Sequence, residues 1–76
     1  MEFTLEKIRP GDWVIVTEIE EDCPLKNRFQ EFGFVVDSLI FCPFISPGGD
    51  LTALELGGTV IAVRVKDLTG IRVRRC

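Results

Sequence analysis

Gly57 and Gly58 stand side by side between two runs of strand-forming residues, Leu51-Thr52-Ala53-Leu54-Glu55-Leu56 and Thr59-Val60-Ile61-Ala62-Val63-Arg64-Val65. A two-residue link between antiparallel strands demands positive φ, which glycine reaches at no steric cost, so the pattern specifies a tight β-hairpin. In a chain of 76 residues there is room for one domain and not for two, and the rest of the chain must build on that hairpin.

The remaining turn signals divide the chain into further elements. Arg9-Pro10-Gly11-Asp12 is a turn, after which Trp13-Val14-Ile15-Val16-Thr17-Glu18-Ile19 reads as a strand. Alternation sends Trp13, Ile15, Thr17 and Ile19 to one face and Val14, Val16, Glu18 and Glu20 to the other, and the first face is expected to be the buried one. Asp22-Cys23-Pro24 starts a short helix, with Asp22 or Cys23 at the cap. Leu25, Phe29 and Phe32 form its apolar stripe, and Gly33 closes it. The run Leu39 to Ile45 is a further strand in which Pro43, lacking an N–H, implies a sheet edge or a bulge. Ser46 to Asp50 is a loop, Lys66 to Gly70 a turn or single helical turn, and Ile71-Arg72-Val73-Arg74 a last strand with Ile71 and Val73 inward. About five strands and one short helix in so small a chain cannot cover an open sheet. The expected fold is therefore mainly β, a small SH3-like barrel occupying residues 1–76 as one domain.

Composition narrows the function. Hydrophobic residues make up 46% of the chain, with six Phe and one Trp, enough for a packed core. No apolar stretch approaches the roughly 20 residues of a membrane span. The opening Met1-Glu2-Phe3-Thr4-Leu5-Glu6 is acidic where a secretory signal would be basic. Cys23, Cys42 and Cys76 are an odd set at wide spacing, which suits a reducing compartment, so the cytoplasm is the expected location. With no His and no CxxC, no cofactor and no metal centre of familiar spacing is expected. With no His and no Tyr, general acid–base catalysis has no obvious base, so an enzyme is not expected. The net charge of −3, from nine basic and twelve acidic residues, disfavours nucleic acid as a partner. The charges are unevenly spread: Glu18, Glu20, Glu21 and Asp22 are acidic neighbours, whereas Arg64, Lys66, Arg72, Arg74 and Arg75 make the C-terminal third basic. Such asymmetry guides docking to a complementary surface.

Several stretches, in order along nearly the whole chain, resemble the family of ferrous iron transport protein A (FeoA). These are Leu5, Ile8 and Pro10-Gly11; the stretch from Leu25-Lys26-Asn27-Arg28-Phe29 to Gly33-Phe34; Pro47-Gly48-Gly49-Asp50; and Gly58 with Ile61-Ala62-Val63-Arg64 and Asp67-Leu68-Thr69-Gly70-Ile71. The sequence departs from the family pattern at Asp37, where a turn Gly is usual, at Leu51, where Pro often stands, and at Leu68, where Ala is usual. The resemblance implies an SH3-like barrel and a non-enzymatic accessory of bacterial ferrous iron uptake, docked on the cytosolic side of the membrane transporter FeoB and reaching the membrane only through it. A related domain closes iron-dependent repressors, so the alternative is a metal- or peptide-responsive sensor.

The residues expected to contact a partner are Arg28, Arg64, Arg72 and Arg74. Two of them have a plainer reading: Arg28 would pair with a carboxylate and hold the helix on the barrel, and Arg64 would bond a carbonyl. The acidic cluster at Glu18 to Asp22 offers hard oxygen ligands suited to Fe(II), but solvated surface is the expected role. Cys23 and Cys42 are expected to be buried as small hydrophobes, and Phe34, Phe41 and Phe44 to join the core. A sheet edge at the Pro43 strand would allow a homo-oligomer by strand pairing.

Overall fold

The hairpin forms as the glycine pair dictates. Leu51–Leu56 (β4) and Thr59–Arg64 (β5) pair from Leu51↔Arg64 to Leu56↔Thr59, with Gly57 at φ +58° and Gly58 at φ +87°. The computed structural model describes residues 1–76 apart from Pro24, Leu25, Phe32 and Phe34, and gives Phe29 for its backbone only. The other elements are Glu2–Thr4 (β1), a 3-10 helix Leu5–Lys7, Trp13–Ile19 (β2), Lys26–Glu31 (α1), Leu39–Phe41 (β3), a second 3-10 helix Val65–Leu68, and Ile71–Arg75 (β6). The strands form one antiparallel sheet in the order β1-β6-β2-β3-β4-β5. The expected mainly β, SH3-like architecture with one short helix is what forms. The sequence reading missed β1, which is three residues long and has no alternation of its own to reveal it.

One face of the curled sheet carries the core. Val14, Val16, Ile40, Leu54, Ile71 and Val73 from the strands, with Leu5 and Leu68 from the 3-10 helices, are wholly buried. Each such side chain contributes roughly 1.5–3 kcal/mol through burial. Cys23 and Cys42 are buried in the same cluster, as expected. The two 3-10 helices lie against each other, which brings Leu5 and Leu68 together.

The face assignment of β2 is corrected. Val14 and Val16 are wholly buried, whereas Trp13 is 47% exposed and Ile15 half-buried. Val16 pairs with Val73 and Glu18 with Arg72, so two steps along β2 match one along β6. Thr17 is the extra residue of a β-bulge, which shifts the inward phase by one. Ile19 therefore turns inward after the bulge, as expected, while Trp13 and Ile15 before it turn out.

Pro43 does not mark an edge, because β3 lies between β2 and β4. Phe41 pairs with Glu55 and Ile45 with Thr52, four steps on one side against three on the other. Pro43 sits in that irregularity, where its missing N–H leaves no ladder bond unmade. Self-association through the Pro43 strand thereby loses its basis. Phe41 is half-buried on the outer face and Phe44 is 60% exposed, so neither belongs to the core; Phe34 lies outside the described residues.

Helix α1 occupies the expected stretch and ends before Gly33, which takes φ +89°. Its capping residue depends on Pro24 and Leu25, and its apolar stripe on Leu25, Phe29 and Phe32, so both lie outside the described residues. Asp37 adopts φ +76°, the left-handed conformation that Asp tolerates better than most residues. Asp37, which departs from the family pattern, thus takes a conformation that a turn Gly reaches without strain.

At the opposite end of β2, Asp12 accepts the Arg9 backbone N–H at 3.0 Å and pairs with Arg75 at 3.3 Å, while the Arg75 guanidinium lies 4.6 Å from the centre of the Phe3 ring. The Arg9 N–H holds the Asp12 carboxyl below its ordinary range against an opposing push from burial, and Arg75 adds to the lowering. A carboxylate with a lowered folded-state pKa stabilises the fold above its unfolded value, and that contribution is lost as pH falls through the folded value. Urea titrations should show Asp12→Asn less stable than wild type at pH 7, with the difference gone near pH 2; a difference that persists there would mean the charge is not its source.

Candidate interaction surface

The bulge that turns Trp13 and Ile15 outward also creates the most conspicuous surface feature. In the β2–β3 register Trp13 faces Phe41 and Ile15 faces Leu39, so these side chains form one contiguous block on the outer face of the sheet. The Trp13 and Phe41 rings are 4.6 Å apart between centroids and tilted by 36°. Trp13 and Leu39 are each nearly half exposed. A contiguous apolar patch that is partly open to solvent is the kind of surface from which interfaces are built.

Strand β6 borders this block. Arg74 lies beside Ile15 and Arg72 beside Glu18, and both arginines are exposed. On their other side Glu2 faces Arg74 and Thr4 faces Arg72 across β1. The ion pairs among the described residues are Lys26–Glu21 at 2.6 Å and Arg75–Asp12, so Arg72 and Arg74 are uncommitted within that set.

The arginines singled out from sequence therefore divide. Arg72 and Arg74 share one face of β6, next to the aromatic block. Arg64 ends β5, with β2, β3 and β4 between it and β6. There it lines an open cleft of about 660 Å³ with Gly49, Asp50, Leu51, Val65 and Lys66. Arg28 is exposed on α1 and makes no ion pair with a described residue. Trp13, Ile15, Leu39 and Phe41 were missed because Val14-Ile15-Val16 is apolar at every position; without alternation only the bulge decides which face is inside.

The acidic cluster behaves as surface: Glu21 pairs with Lys26, which lowers the carboxyl's pKa. Among the described residues no three of His, Cys, Asp and Glu gather closely enough to hold a metal ion. The Cys42 thiol lies 3.6 Å from the Phe44 carbonyl, and burial, with Asp12 nearby, pushes its pKa up, so it stays protonated at neutral pH. No helix among the described residues is long and apolar enough to cross a membrane.

The FeoA domain model matches residues 3–75. The chain belongs to the FeoA domain family. No curated protein sequence matches it. Among solved structures, this FeoA domain is similar to a FeoA-like protein from Clostridium acetobutylicum, with TM-score 0.88 and 23% identity over 97% of this chain and 86% of that one. It is also similar to an iron uptake regulatory protein, FeoA, with TM-score 0.83 and 22% identity over 100% and 99% of the two chains. A manganese-dependent transcriptional repressor in complex with manganese shares the fold, with TM-score 0.87 and 18% identity; 99% of this chain covers 37% of the repressor. At these identities the likenesses speak to the fold alone.

Proposed function

We propose that this FeoA-domain protein is a non-enzymatic cytoplasmic accessory of bacterial ferrous iron uptake, docking on the cytosolic side of a FeoB-type membrane transporter through the outer face of β6, β2 and β3. Family membership supports the link to iron transport. The observation that carries the choice of surface is the half-exposed Trp13 packed on Phe41 beside Ile15 and Leu39, bordered by Arg72 and Arg74. Trp and Arg are the residue types that most often dominate binding energy, and a central apolar cluster with a charged rim is the usual anatomy of an interface. The matching surface on the transporter would be apolar at its centre and acidic on one side.

Capture of the purified protein by the transporter's soluble cytosolic domain tests this. Trp13→Ala is expected to weaken capture by about 2 kcal/mol, roughly thirtyfold in Kd. Reversal of Arg72 and Arg74 to Glu should weaken it further and remove most of its salt dependence. Capture unaffected by either change would move the docking site elsewhere, and no capture at low salt would remove the transporter from the reading.

A second reading, a sensor that binds an extended acidic peptide, draws support from the cleft, where Arg64 and Lys66 flank Leu51 and Val65. Loss of partner capture on reversing Arg64 and Lys66, with Trp13→Ala silent, would favour it over docking through the sheet face. Arg28, exposed on α1, would join the contact only if its reversal also weakened capture.

A further inference from the structure

Strand β5 ends the sheet, and its free side is unusually open to another strand. In an antiparallel ladder alternate residues turn both backbone polar groups toward the same neighbour. The Val65 N–H donates to the Asp50 carbonyl at 2.9 Å, one step beyond the Leu51↔Arg64 pair. Thr59, Ile61, Val63 and Val65 therefore face β4, and Val60 and Ala62 turn their N–H and C=O groups to the open edge, as Arg64 does its N–H, while the Arg64 carbonyl opens the 3-10 helix Val65–Leu68. Exposed edges are normally blunted by lysine, proline or charge. From Thr59 to Val63 this edge has none of these. Val60, Ala62 and Arg64 are all exposed, on the outer face of the sheet.

We propose that two copies of this chain associate by antiparallel pairing of β5 with β5, with Ala62 on the two-fold axis. In that register Ala62 lies opposite the partner's Ala62, and Val60 opposite the partner's Arg64. The Ala62 pair then exchanges two bonds and the Arg64 N–H of each copy donates to the Val60 carbonyl of the other, about four bonds in all. The small Ala62 side chains meet at the axis without a clash. The two Arg64 side chains are held apart by four residues of strand, roughly 13 Å; sliding the register toward Arg64 would bring them face to face.

Charge complementarity selects a second copy as the occupant. Glu55 on β4 pairs with Val60, so in the dimer the outer face reads Glu55, Val60, the partner's Arg64. Two strand spacings separate the Cα atoms of Glu55 and that arginine, roughly 10 Å, which a Glu and an Arg side chain span together over the valine. Symmetry makes the pair twice. Within one copy neither Glu55 nor Arg64 has an ion-pair partner among the described residues.

Sedimentation equilibrium from roughly 10 μM to 1 mM tests the proposal, a range that brackets the affinity of small, transient interfaces. Wild type is expected to show a reversible monomer–dimer equilibrium. Ala62→Lys, which opposes two ammonium groups on the axis, should raise the dissociation constant at least about tenfold. Arg64→Glu and Glu55→Arg should each weaken the dimer, and the two together should restore it, because the ion pair is re-formed with its signs exchanged. Trp13→Ala, which alters the proposed transporter face and not this edge, should leave the equilibrium unchanged. A monomer throughout the range overturns the proposal, as does a dimer indifferent to Ala62→Lys or a charge swap that fails to restore association.

Discussion

Leu54→Ala is expected to destabilise the protein by about 2–5 kcal/mol, the range for removing a buried Leu side chain from a core that cannot collapse around the gap. Leu54 is wholly buried on β4, which has β3 on one side and β5 on the other, so the backbone around it is fixed on both flanks. A domain of this size has only about 4–11 kcal/mol in total, so the variant should lose a large share of it. The melting temperature should fall by at least about 10 °C. Leu51, also on β4 but 41% exposed, is the control, and Leu51→Ala should cost under about 1 kcal/mol. Equal losses at the two positions would mean that β4 does not divide its faces as described.

Gly70→Ala should destabilise by about 1–3 kcal/mol through crowding. A Cβ on Gly70 would lie 2.8 Å from the Cys23 Cβ, closer than such atoms approach, and a tight 3.0 Å from its Cα. The two segments cannot simply part, because the Gly70 carbonyl accepts the Glu20 N–H at 2.8 Å and the Cys23 N–H bonds the Glu20 carbonyl at 3.1 Å. Gly70 has no positive φ to preserve, so Ala there would otherwise stabilise by restricting the unfolded chain. The crowding origin is checked by repeating the substitution in a Cys23→Gly background, which deletes the Cβ and Sγ contacts and leaves only the Cα. Urea midpoints should then show a smaller penalty for Gly70→Ala; the same penalty in both backgrounds would refute the account.

What the sequence revealed follows from where local chemistry decides structure. Gly57-Gly58 fixes a turn by itself, and the alternation of Ile71-Arg72-Val73-Arg74 fixes a face by itself, so both were legible. Trp13 was misplaced because its orientation depends on a bulge at Thr17, and a bulge is a property of two strands that are far apart in sequence. β1 was invisible for a related reason: three residues become a strand only because β6 offers them a partner. The arginines were recognised as surface groups, but only the sheet order shows that Arg72 and Arg74 lie together on one face of β6 while Arg64 lies at the far edge of the sheet. The apolar half of the proposed docking face was hidden in a stretch that reads as core.

The position of β6 bears on how the chain comes to be folded as it is made. In chain order β6 is the last of the strands, yet in the sheet it stands between β1 and β2. While the ribosome is still adding residues, β1 has no neighbour at all and β2 has one side open. The β4–β5 hairpin, closed by two glycines, can form as soon as it emerges, whereas β1 must wait for pairing some seventy positions away, Glu2 with Arg74. Completion of the fold is thus a late, long-range event, slow by the rule that distant contacts close slowly. Until then the apolar side chains of β2 are exposed to whatever else the cell offers them.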